Sequence, residues 1–513
     1  MLLRYKVAFK FEDIPVEKVK KYLESLWNKN IVERHGVYEW EDAGYQPVET
    51  PEREIGIEEL KRTIFDCFPD LWEAAEVALS VTAVLLIEDV KDPMGINFIG
   101  SPSSGKGTVL SFFYPVNPIT YHTDNFTPQS FVSHYASRRR EQLEEIDLLP
   151  RIKNRTIIVP ELAPIFGARK DDRLKNISIL TRVFDGQGLE TDSAVHGRRG
   201  YSGEYMFCWL GASTPFGSAI WRLLQKLGQR WLFYNMGRRS KTENELTNEI
   251  LGSNPYKEKV KKCHKAASDF LKTLWSRYGG VRRVRWQRRE IEQVRIITKL
   301  ANLLTRLRAY VLVSTRQSES GESVFYYTIP LIEEPERVTN LLYNLARGHA
   351  LIHGRNQIND SDVSILIPIV LSSAPYERTL LITKLLDNNG SLDSSEIQDK
   401  LNCSQASASR MMKIFDILGI CDKKSLAEED EIGRPLAFIE LKEEFSWFLE
   451  ESFNLLRRGG QTRLDHFHTV NSVNKNIRSR SFIQKNDSVS KESSENYDFG
   501  KELEKITKLK GSD

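Results

Sequence analysis

One nine-residue segment restricts the folds open to this chain of 513 residues more than any other feature. It reads GSPSSGKGT from Gly100 to Thr108 and lies between the apolar stretch INFI and the helix-like stretch VLSFF. Gly100 and Gly105 permit a tight turn. A turn that leads into a helix surrounds an anion with backbone N–H groups and the positive end of the helix dipole. The segment therefore predicts a strand, a phosphate-binding loop and a helix in succession.

The residues of this loop predict a nucleoside triphosphate and Mg²⁺ as ligands. Lys106 is expected to contact the β- and γ-phosphates, and a following hydroxyl to hold Mg²⁺. Gly107 stands where Ser or Thr is usual, so that Thr108 is displaced by one position, an ending that resembles that of adenylate kinases. We expect ATP and Mg²⁺ as cofactors, with Thr108 as a metal ligand; the alternative is a Gly/Ser turn with a solvated lysine. The predicted cofactor-binding residues are Gly100, Ser103, Ser104, Gly105, Lys106, Gly107 and Thr108.

A second strand signal supplies a candidate acid. The apolar residues 156–159 (TIIV) are followed by Pro160 and Glu161. Catalytic groups of open α/β sheets gather at the carboxyl ends of the strands, and hydrolysis requires a carboxylate that polarises water. Glu161 is therefore predicted as a catalytic residue and a second metal ligand, although Pro160 takes the place where such strands usually carry Asp. The alternative is an exposed acid that merely ends a strand.

The alternation of apolar strands and helical stretches predicts an α/β fold with a mainly parallel sheet. Later segments change to helical spacing and then to three short helices with a charged loop and a final strand, the order of a helix-turn-helix with a wing. The predicted parts are an N-terminal region without a motif (1–70), the α/β core (71–239), a helical subdomain (240–375), a winged-helix domain (376–456) and a tail expected to be disordered until bound (457–513).

The order of these segments resembles that of the AAA+ ATPases, and within them the MCM type of replicative helicase. After TIIVPEL come the helical stretch RLKNISILTRVFDGQ, the segment LETDSAVHGRRGYSG and the strand MFCWLGASTP. The family has an acidic strand, a helix, a hairpin insert and a sensor strand in the same order. The resemblance implies an AAA+ P-loop NTPase core with a parallel sheet, a helical lid and a C-terminal winged helix.

The resemblance also assigns roles to further residues. Thr214 takes the sensor-1 position, where Ser213 is an alternative. Arg230 resembles an arginine finger that reaches the ATP site of a neighbouring subunit, and Arg337 resembles sensor 2. Because a finger acting in trans leaves each site incomplete in one chain, we expect a homo-oligomer, by resemblance a ring. The alternative for both arginines is that they are ordinary surface residues whose apolar stems lie along a helix.

Two segments are candidates for contact with DNA. By resemblance, the hairpin that carries His196, Arg198 and Arg199 points into a central channel; the alternative is a flexible loop. In the winged-helix segment, the residues expected to face outward from a recognition helix are Gln405, Ser409, Arg410 and Lys413. The acidic residues 428–431 oppose DNA binding, so that a protein-interaction module is the alternative.

A third basic segment, residues 277–289, carries six arginines around Trp286. If it becomes helical, it suits phosphate contact and base stacking. Packing against acidic neighbours is an equally good interpretation.

Composition adds limits on compartment and partners. Lys and Arg total 73 against 70 Asp and Glu, which leaves a net charge of +3 and restricts any basic binding surface to a local patch. Five cysteines without a CxxC pair argue against disulfides and against a cysteine-based zinc site, and favour a reducing cytoplasm. The most apolar window, from Val77 to Ile87, is shorter than the about 20 residues of a bilayer span and predicts a buried helix. We expect no membrane partner.

Three hypotheses about function follow. The first is an ATP-dependent DNA helicase or translocase that acts as an oligomeric ring in DNA replication, for example of a mobile element. The second is an ATP-switched DNA-binding initiator or regulator that unwinds nothing. The third, which rests on the GKGT ending alone, is a small-molecule nucleotide kinase.

Overall fold

The computed structural model describes a large central part of the chain. The described residues are 30–34, 37–41, 48, 51–133, 140–193, 197–237, 242–252, 255–287, 290–317, 323–426 and 436–459. The chain divides into two units, residues 1–467 and 468–513, and all described residues belong to the first. The predicted tail lies outside the described residues from position 460 onward.

The described residues form fourteen strands and eighteen α-helices. The strands are β1 (Asn30–Arg34), β2 (Val37–Glu41), β3 (Met94–Ile99), β4 (Thr120–His122), β5 (Thr156–Val159), β6 (Gly188–Ser193), β7 (Gly197–Ser202), β8 (Cys208–Ser213), β9 (Leu232–Asn235), β10 (Val313–Gln317), β11 (Ser323–Tyr327), β12 (Ser391–Asp393), β13 (Cys421–Leu426) and β14 (Leu436–Leu441). The helices are α1 (Ile57–Cys67), α2 (Trp72–Ala83), α3 (Lys106–Ser111), α4 (Arg140–Ile146), α5 (Leu148–Ile152), α6 (Ala163–Phe166), α7 (Lys170–Val183), α8 (Ser218–Leu227), α9 (Glu243–Leu251), α10 (Tyr256–Tyr278), α11 (Ile291–Leu307), α12 (Glu336–Ile352), α13 (Asp360–Ser364), α14 (Leu366–Ser372), α15 (Tyr376–Asp387), α16 (Ser394–Leu401), α17 (Gln405–Ile417) and α18 (Glu451–Gly459).

A five-stranded parallel sheet forms the centre of the core, in the order β4-β5-β8-β3-β9. All residues of β3, β5 and β8 are buried. Strands that are covered on both faces by helices have continuous apolar sequences. These strands could therefore be predicted from the sequence. The predicted α/β core with a parallel sheet is confirmed.

The register of the sheet aligns the ends of its strands. Ile99 of β3 lies opposite Ser213 of β8, and Val159 of β5 lies opposite Gly211 of β8. We call the side of the sheet where the strands end the carboxyl edge, and the side where they begin the amino edge. The predicted phosphate loop, Glu161 and Thr214 all follow strands directly and therefore lie at the carboxyl edge.

Helix α2 lies in the interior beside the sheet. Residues 74–87 are all buried, which confirms the predicted buried helix around Val77 to Ile87. The backbones of α2 and α12 approach closely, because a Cβ atom on Gly348 would lie 2.1 Å from the carbonyl oxygen of Ser80. Among the described residues, no helix combines the length and apolar character needed to cross a bilayer.

The predicted helical subdomain is mainly helical but contains a hairpin that the sequence did not reveal. Strands β10 and β11 pair in antiparallel register, with Val313 opposite Tyr327. Residues 279–287 of the basic segment around Trp286 are not helical, so the helix that its sequence allowed does not form there. Helix α10 ends at Tyr278 because Gly279 adopts the left-handed conformation, with φ of +75°.

The C-terminal part consists of three helices and a small sheet. Helices α15, α16 and α17 are followed by β13 and β14, and the antiparallel sheet has the order β12-β14-β13. The sequence predicts the second helix of the helix-turn-helix from Ser391 to Leu401. Ser391 instead begins β12, because Asp393 caps α16 through the backbone N–H groups of Ser395 and Glu396. The predicted wing loop, residues 427–435, lies outside the described residues.

Candidate nucleotide site

The loop from Gly100 to Lys106 adopts the tight turn that its sequence predicts. Gly105 has φ of +89° and immediately precedes α3, and Ser103 is also left-handed, with φ of +64°. A Cβ atom on Gly100 would lie 2.6 Å from the hydroxyl oxygen of Ser104. Glycine is therefore required where the backbone folds over Ser104.

Lys106 lies within the curve of this loop. Its Nζ donates hydrogen bonds to the carbonyl oxygens of Gly100 (2.7 Å) and Ser101 (2.8 Å), and it lies 3.3 Å from the hydroxyl of Ser104. Burial lowers the pKa of Lys106, and the carboxylate of Glu161 acts in the opposite direction. The structure thus brings Lys106 and Glu161 within electrostatic reach of each other.

Glu161 is exposed and its carboxylate is oriented by the backbone. One carboxylate oxygen accepts a hydrogen bond from the backbone N–H of Ala163 at 2.8 Å. The next residue, Leu162, donates its N–H to the carbonyl of Ala212 at 2.9 Å, which ties this turn to β8. A carboxylate fixed in this way at the carboxyl edge is accessible to water and to a phosphate bound at Lys106.

Thr214 follows β8, the strand that lies between those of the loop and of Glu161. Its side chain is exposed, whereas Ser213 is only 3% exposed. The backbone carbonyl of Ser213 accepts a hydrogen bond from Gly100 N–H at 3.3 Å. Of the two predicted sensor-1 residues, Thr214 is therefore the accessible one.

Thr108 has a partner that sequence reasoning missed. Its hydroxyl forms a hydrogen bond of 2.8 Å with the phenol of Tyr256, the first residue of α10. The Tyr256 ring also contacts that of Phe68 edge to face. Nothing in the sequence links positions 148 residues apart. By contrast, a Cβ on Gly107 would meet no atom within 4 Å.

The two predicted catalytic arginines lie at the opposite edge of the sheet. Arg230 precedes β9, and its Nε donates to the carboxylate of Asp185 at 2.9 Å. Arg230 and Arg337 both line a cleft of about 290 Å³, whose lining also includes Asp92 and Arg182. Asp92 lies just before β3, whose six residues span about 20 Å. Within one chain, these arginines therefore do not meet Lys106.

Opposite charges are mixed in this cleft. Burial raises the pKa of Asp92, and the nearby charge of Arg337 opposes that shift. Burial and the charge of Arg230 lower the pKa of Arg337, and Asp185 acts in the opposite direction. Within the described part of the chain, Arg337 has no ion-pair partner within 4 Å, so its guanidinium is available to an anionic group from outside.

The predicted basic hairpin forms as expected in its two strands. β6 and β7 pair in antiparallel register, with Ser193 opposite Gly197. Arg198 is exposed and pairs with Glu190 at 2.6 Å, while Arg199 is half-buried. His196 belongs to the tip, residues 194–196, which lies outside the described residues.

The predicted DNA-contacting face of α17 is only partly open. Gln405 and Arg410 are exposed and Ser409 is half-buried, but the Lys413 ammonium pairs with Asp416 at 2.7 Å. Burial raises the pKa of Tyr327 in β11, and the charges of Arg410 and Lys413 oppose that shift. The unforeseen hairpin of β10 and β11 therefore lies beside this face.

Two arginines of the basic segment around Trp286 form ion pairs within the chain. Arg282 pairs with Glu204 at 2.7 Å, and Arg285 pairs with Glu88 at 3.1 Å. Arg288 and Arg289 lie outside the described residues. Of the two interpretations of this segment, packing against acidic neighbours fits Arg282 and Arg285, although their partners belong to the same chain.

Comparison with known proteins adds little to these observations. No protein-family model matches the sequence, and no curated protein matches it. Several solved structures align over most of the chain with low similarity. They include the apo NrS-1 C-terminal region (9% identity, 83% of this chain and 90% of that chain, TM-score 0.30), the SCCmec type IV Cch active helicase (12%, 82% and 79%, 0.32) and the Aeropyrum pernix Orc1 protein in complex with DNA (12%, 81% and 95%, 0.19).

Likenesses at such TM-scores say nothing about function. The fold class follows from the molecule itself, because its parallel sheet carries a glycine-rich loop with a lysine at the carboxyl end of a central strand. The core is an α/β fold of the P-loop NTPase type.

Proposed function

We propose that this protein hydrolyses ATP with Mg²⁺. The observation that carries the proposal is the meeting of Lys106, Glu161 and Thr214 at one edge of the sheet. A cation beside the terminal phosphates, a carboxylate facing them and a hydroxyl between the two are what hydrolysis of a phosphoanhydride requires. The α/β fold and the tight turn of the loop at the start of α3 support the same assignment.

Each residue then has a chemical task. Lys106 exchanges its loop carbonyls for the β- and γ-phosphates, and Glu161 orients the attacking water. Thr214 donates a hydrogen bond to that water or to the γ-phosphate. Mg²⁺ would be held by Thr108 and Glu161, which requires the hydroxyl of Thr108 to leave Tyr256. The metal supplies charge stabilisation on the phosphate oxygens.

We infer that the active unit is an oligomer, by resemblance to the MCM-type AAA+ ATPases a ring. Arg230 and Arg337 lie at the amino edge, and the phosphate loop follows the other end of β3, a strand about 20 Å long. Arginines that stabilise the charge of a leaving phosphate must reach it directly. Placing the amino edge of one subunit against the carboxyl edge of the next brings the arginines to a nucleotide and completes each site.

DNA is the proposed partner, and the proposed activity is that of an ATP-dependent helicase or translocase in DNA replication. Asp185, the partner of Arg230, lies three residues before β6. If a γ-phosphate draws Arg230 away from Asp185, the segment leading into the hairpin is released, and its exposed Arg198 moves along the DNA backbone. The three helices and small sheet of residues 376–441 are proposed as a winged helix that provides a second DNA contact.

A second candidate function is an ATP-switched DNA-binding initiator or regulator without unwinding. The observation that favours it is the nearness of Tyr327 to Arg410 and Lys413 on the α17 face, together with the pairing of Lys413 with Asp416. A winged helix in this position is suited to packing against protein as much as to a groove of DNA. Both candidates share the same ATP site.

One experiment separates the candidates. The ATPase rate of the full chain is measured with and without single-stranded DNA, on a sample whose mass is determined in the same buffer, together with strand displacement on forked DNA. A helicase shows an oligomeric mass, DNA-stimulated hydrolysis and displacement. DNA-stimulated hydrolysis without displacement indicates the regulator, and absence of hydrolysis in every oligomeric state contradicts both.

A further inference from the structure

A second group of ligand-type side chains lies far in sequence from the nucleotide site. Glu76 of α2 faces His349 and His353, which stand four residues apart at the end of α12. Glu76 and His349 are 6% and 4% exposed, and His353 is half-buried. Two histidines at this spacing present their rings on one face of a helix, the arrangement that protein zinc sites use.

The distances within this cluster match those between the ligands of a tetrahedral metal. One Glu76 carboxylate oxygen, Oε1, lies 3.5 Å from Nε2 of His349 and 3.2 Å from Nε2 of His353. Zinc bonds to nitrogen and oxygen of 2.0–2.1 Å at tetrahedral angles separate neighbouring ligand atoms by about 3.3 Å. One atom from each of the three residues lies within 4.8 Å of the others. An ion of this size therefore fits without large movements of the chain.

The surroundings hold His349 in the orientation that a metal ligand needs. Its other ring nitrogen, Nδ1, is hydrogen-bonded to the carboxylate of Asp362, which is fully buried. Asp362 is in turn fixed by Arg355 and by the backbone N–H of Asn359. A carboxylate beside Nδ1 holds the ring so that Nε2 faces Glu76, and an ion bound there would take the place of the contact between Nε2 and Glu76.

The two helices that supply these ligands are already held together. Gly348, next to His349, allows the backbone of α12 to lie against the carbonyl of Ser80 in α2. The position of the ligands is therefore set by packing before any ion binds. The cluster is made of histidine and glutamate, so the absence of paired cysteines, which argued against a zinc site in the sequence, does not apply to it.

We propose that Glu76, His349 and His353 form a binding site for a divalent transition metal of the zinc type. The donor set of two imidazoles and one carboxylate suits Zn²⁺. A water molecule completes the coordination on the side of His353, whose side chain is 25% exposed. The bound ion would link α2, which precedes the strand of the phosphate loop, to α12, whose second residue is Arg337. This site is independent of the proposed ATPase function.

The test uses the full-length protein without nucleotide. Metal is removed with a chelator, and Co²⁺ is titrated in while its visible d–d absorption is recorded, followed by displacement with Zn²⁺. The variants are His353→Gln and Asp362→Asn. His264→Ala is the matched control, because its ring is half-buried on α10 and bonds the backbone carbonyl of Phe112 instead.

The expected result is one equivalent of tetrahedral Co²⁺, displaced by Zn²⁺, in the wild type and in His264→Ala. His353→Gln loses this binding, and Asp362→Asn weakens it by about 10- to 100-fold. X-ray absorption of the zinc-loaded wild type, which does not depend on the folding of any variant, should show two imidazole ligands. Failure of the wild type to bind, or binding that His353→Gln leaves unchanged, would overturn the proposal; the cluster is then a histidine–carboxylate hydrogen-bond network.

Discussion

The two edges of the central sheet differ in how their functional residues are supplied. At the carboxyl edge, Lys106, Glu161 and Thr214 each follow a parallel strand directly, and the register of the strands brings them together. At the amino edge, Arg230 and Arg337 come from segments far apart in the sequence and meet in a cleft with acidic side chains. The carboxyl edge is the proposed phosphate site, and the two arginines lie at the other end of the strands.

Under the proposed function, this difference divides each site between two subunits. The carboxyl edge supplies the lysine and the acid, and the amino edge supplies Arg230 and Arg337. In the proposed assembly, contact between the two edges of successive subunits would complete each site, and hydrolysis would depend on assembly. Substitutions at the two edges should therefore have different signatures.

The largest effect is expected from Lys106→Ala at the carboxyl edge. Because Lys106 is the cation among the loop carbonyls, its removal should abolish both ATP binding and hydrolysis. Binding is measured with a fluorescent ATP analogue and hydrolysis by phosphate release. Lys175→Ala, an exposed lysine of α7, is the control and should behave as wild type. Normal hydrolysis by Lys106→Ala would refute the site.

Arg230→Ala tests the amino edge. The expected result is a fall in kcat of about 10³-fold with ATP binding retained, because the guanidinium stabilises charge only in the transition state. Binding and kcat are measured separately at saturating DNA. The control is Arg222→Ala, an exposed arginine of the preceding helix α8. If Arg230→Ala has no more effect than this control, the amino edge takes no part in hydrolysis.

Glu161→Gln should lower kcat by about 10²-fold and leave ATP binding intact, since loss of the carboxylate removes the group that orients and polarises water. Single-turnover hydrolysis with prebound ATP measures the effect. Glu145→Gln, an exposed acid of α4, serves for comparison. A variant of Glu161 that hydrolyses at the wild-type rate would leave the carboxyl edge without an identified base.

The smallest effect is expected from Gly107→Ser, which places a hydroxyl where phosphate loops usually have one. A Cβ atom at this position meets nothing within 4 Å, so the substitution should fold and stabilise α3 by about 0.5 kcal/mol. We expect the ATPase to reach half of its maximal rate at a lower Mg²⁺ concentration, which a Mg²⁺ titration measures. Thr108→Val in the same background shows which hydroxyl holds the ion: if the introduced serine has taken over that task, this second substitution costs no activity.

The sequence predicts the carboxyl edge better than the amino edge for a physical reason. The apolar runs that form β3, β5 and β8 are local sequence patterns. Once these strands are predicted, the residues directly after them are placed at the carboxyl edge without any knowledge of tertiary packing. The ion pair of Arg230 with Asp185 depends on tertiary packing, which a single sequence does not encode locally. Residues Arg198 and Arg199 stay predicted DNA contacts, and His196 lies outside the described residues.

Two misreadings have identifiable causes. The arginine-rich segment around Trp286 has helical propensity, but the pair Gly279–Gly280, both left-handed, ends α10 before it. That glycine pair is a breaker signal that was available in the sequence. The hairpin of β10 and β11 lies between α11 and α12, and the helical spacing of these two helices led to a helical prediction for the whole segment. Its position beside Arg410 follows only from the packed structure.

The most direct test of the shared site mixes two inactive proteins. Lys106→Ala retains the amino edge, and Arg230→Ala retains the carboxyl edge, so that mixed assemblies contain some interfaces with both intact. The ATPase rate of the mixture, after subunit exchange and at constant total concentration, should exceed the rates of both separate variants. A mixture no more active than its components, in assemblies shown by mass to contain both, would contradict a site formed between two subunits.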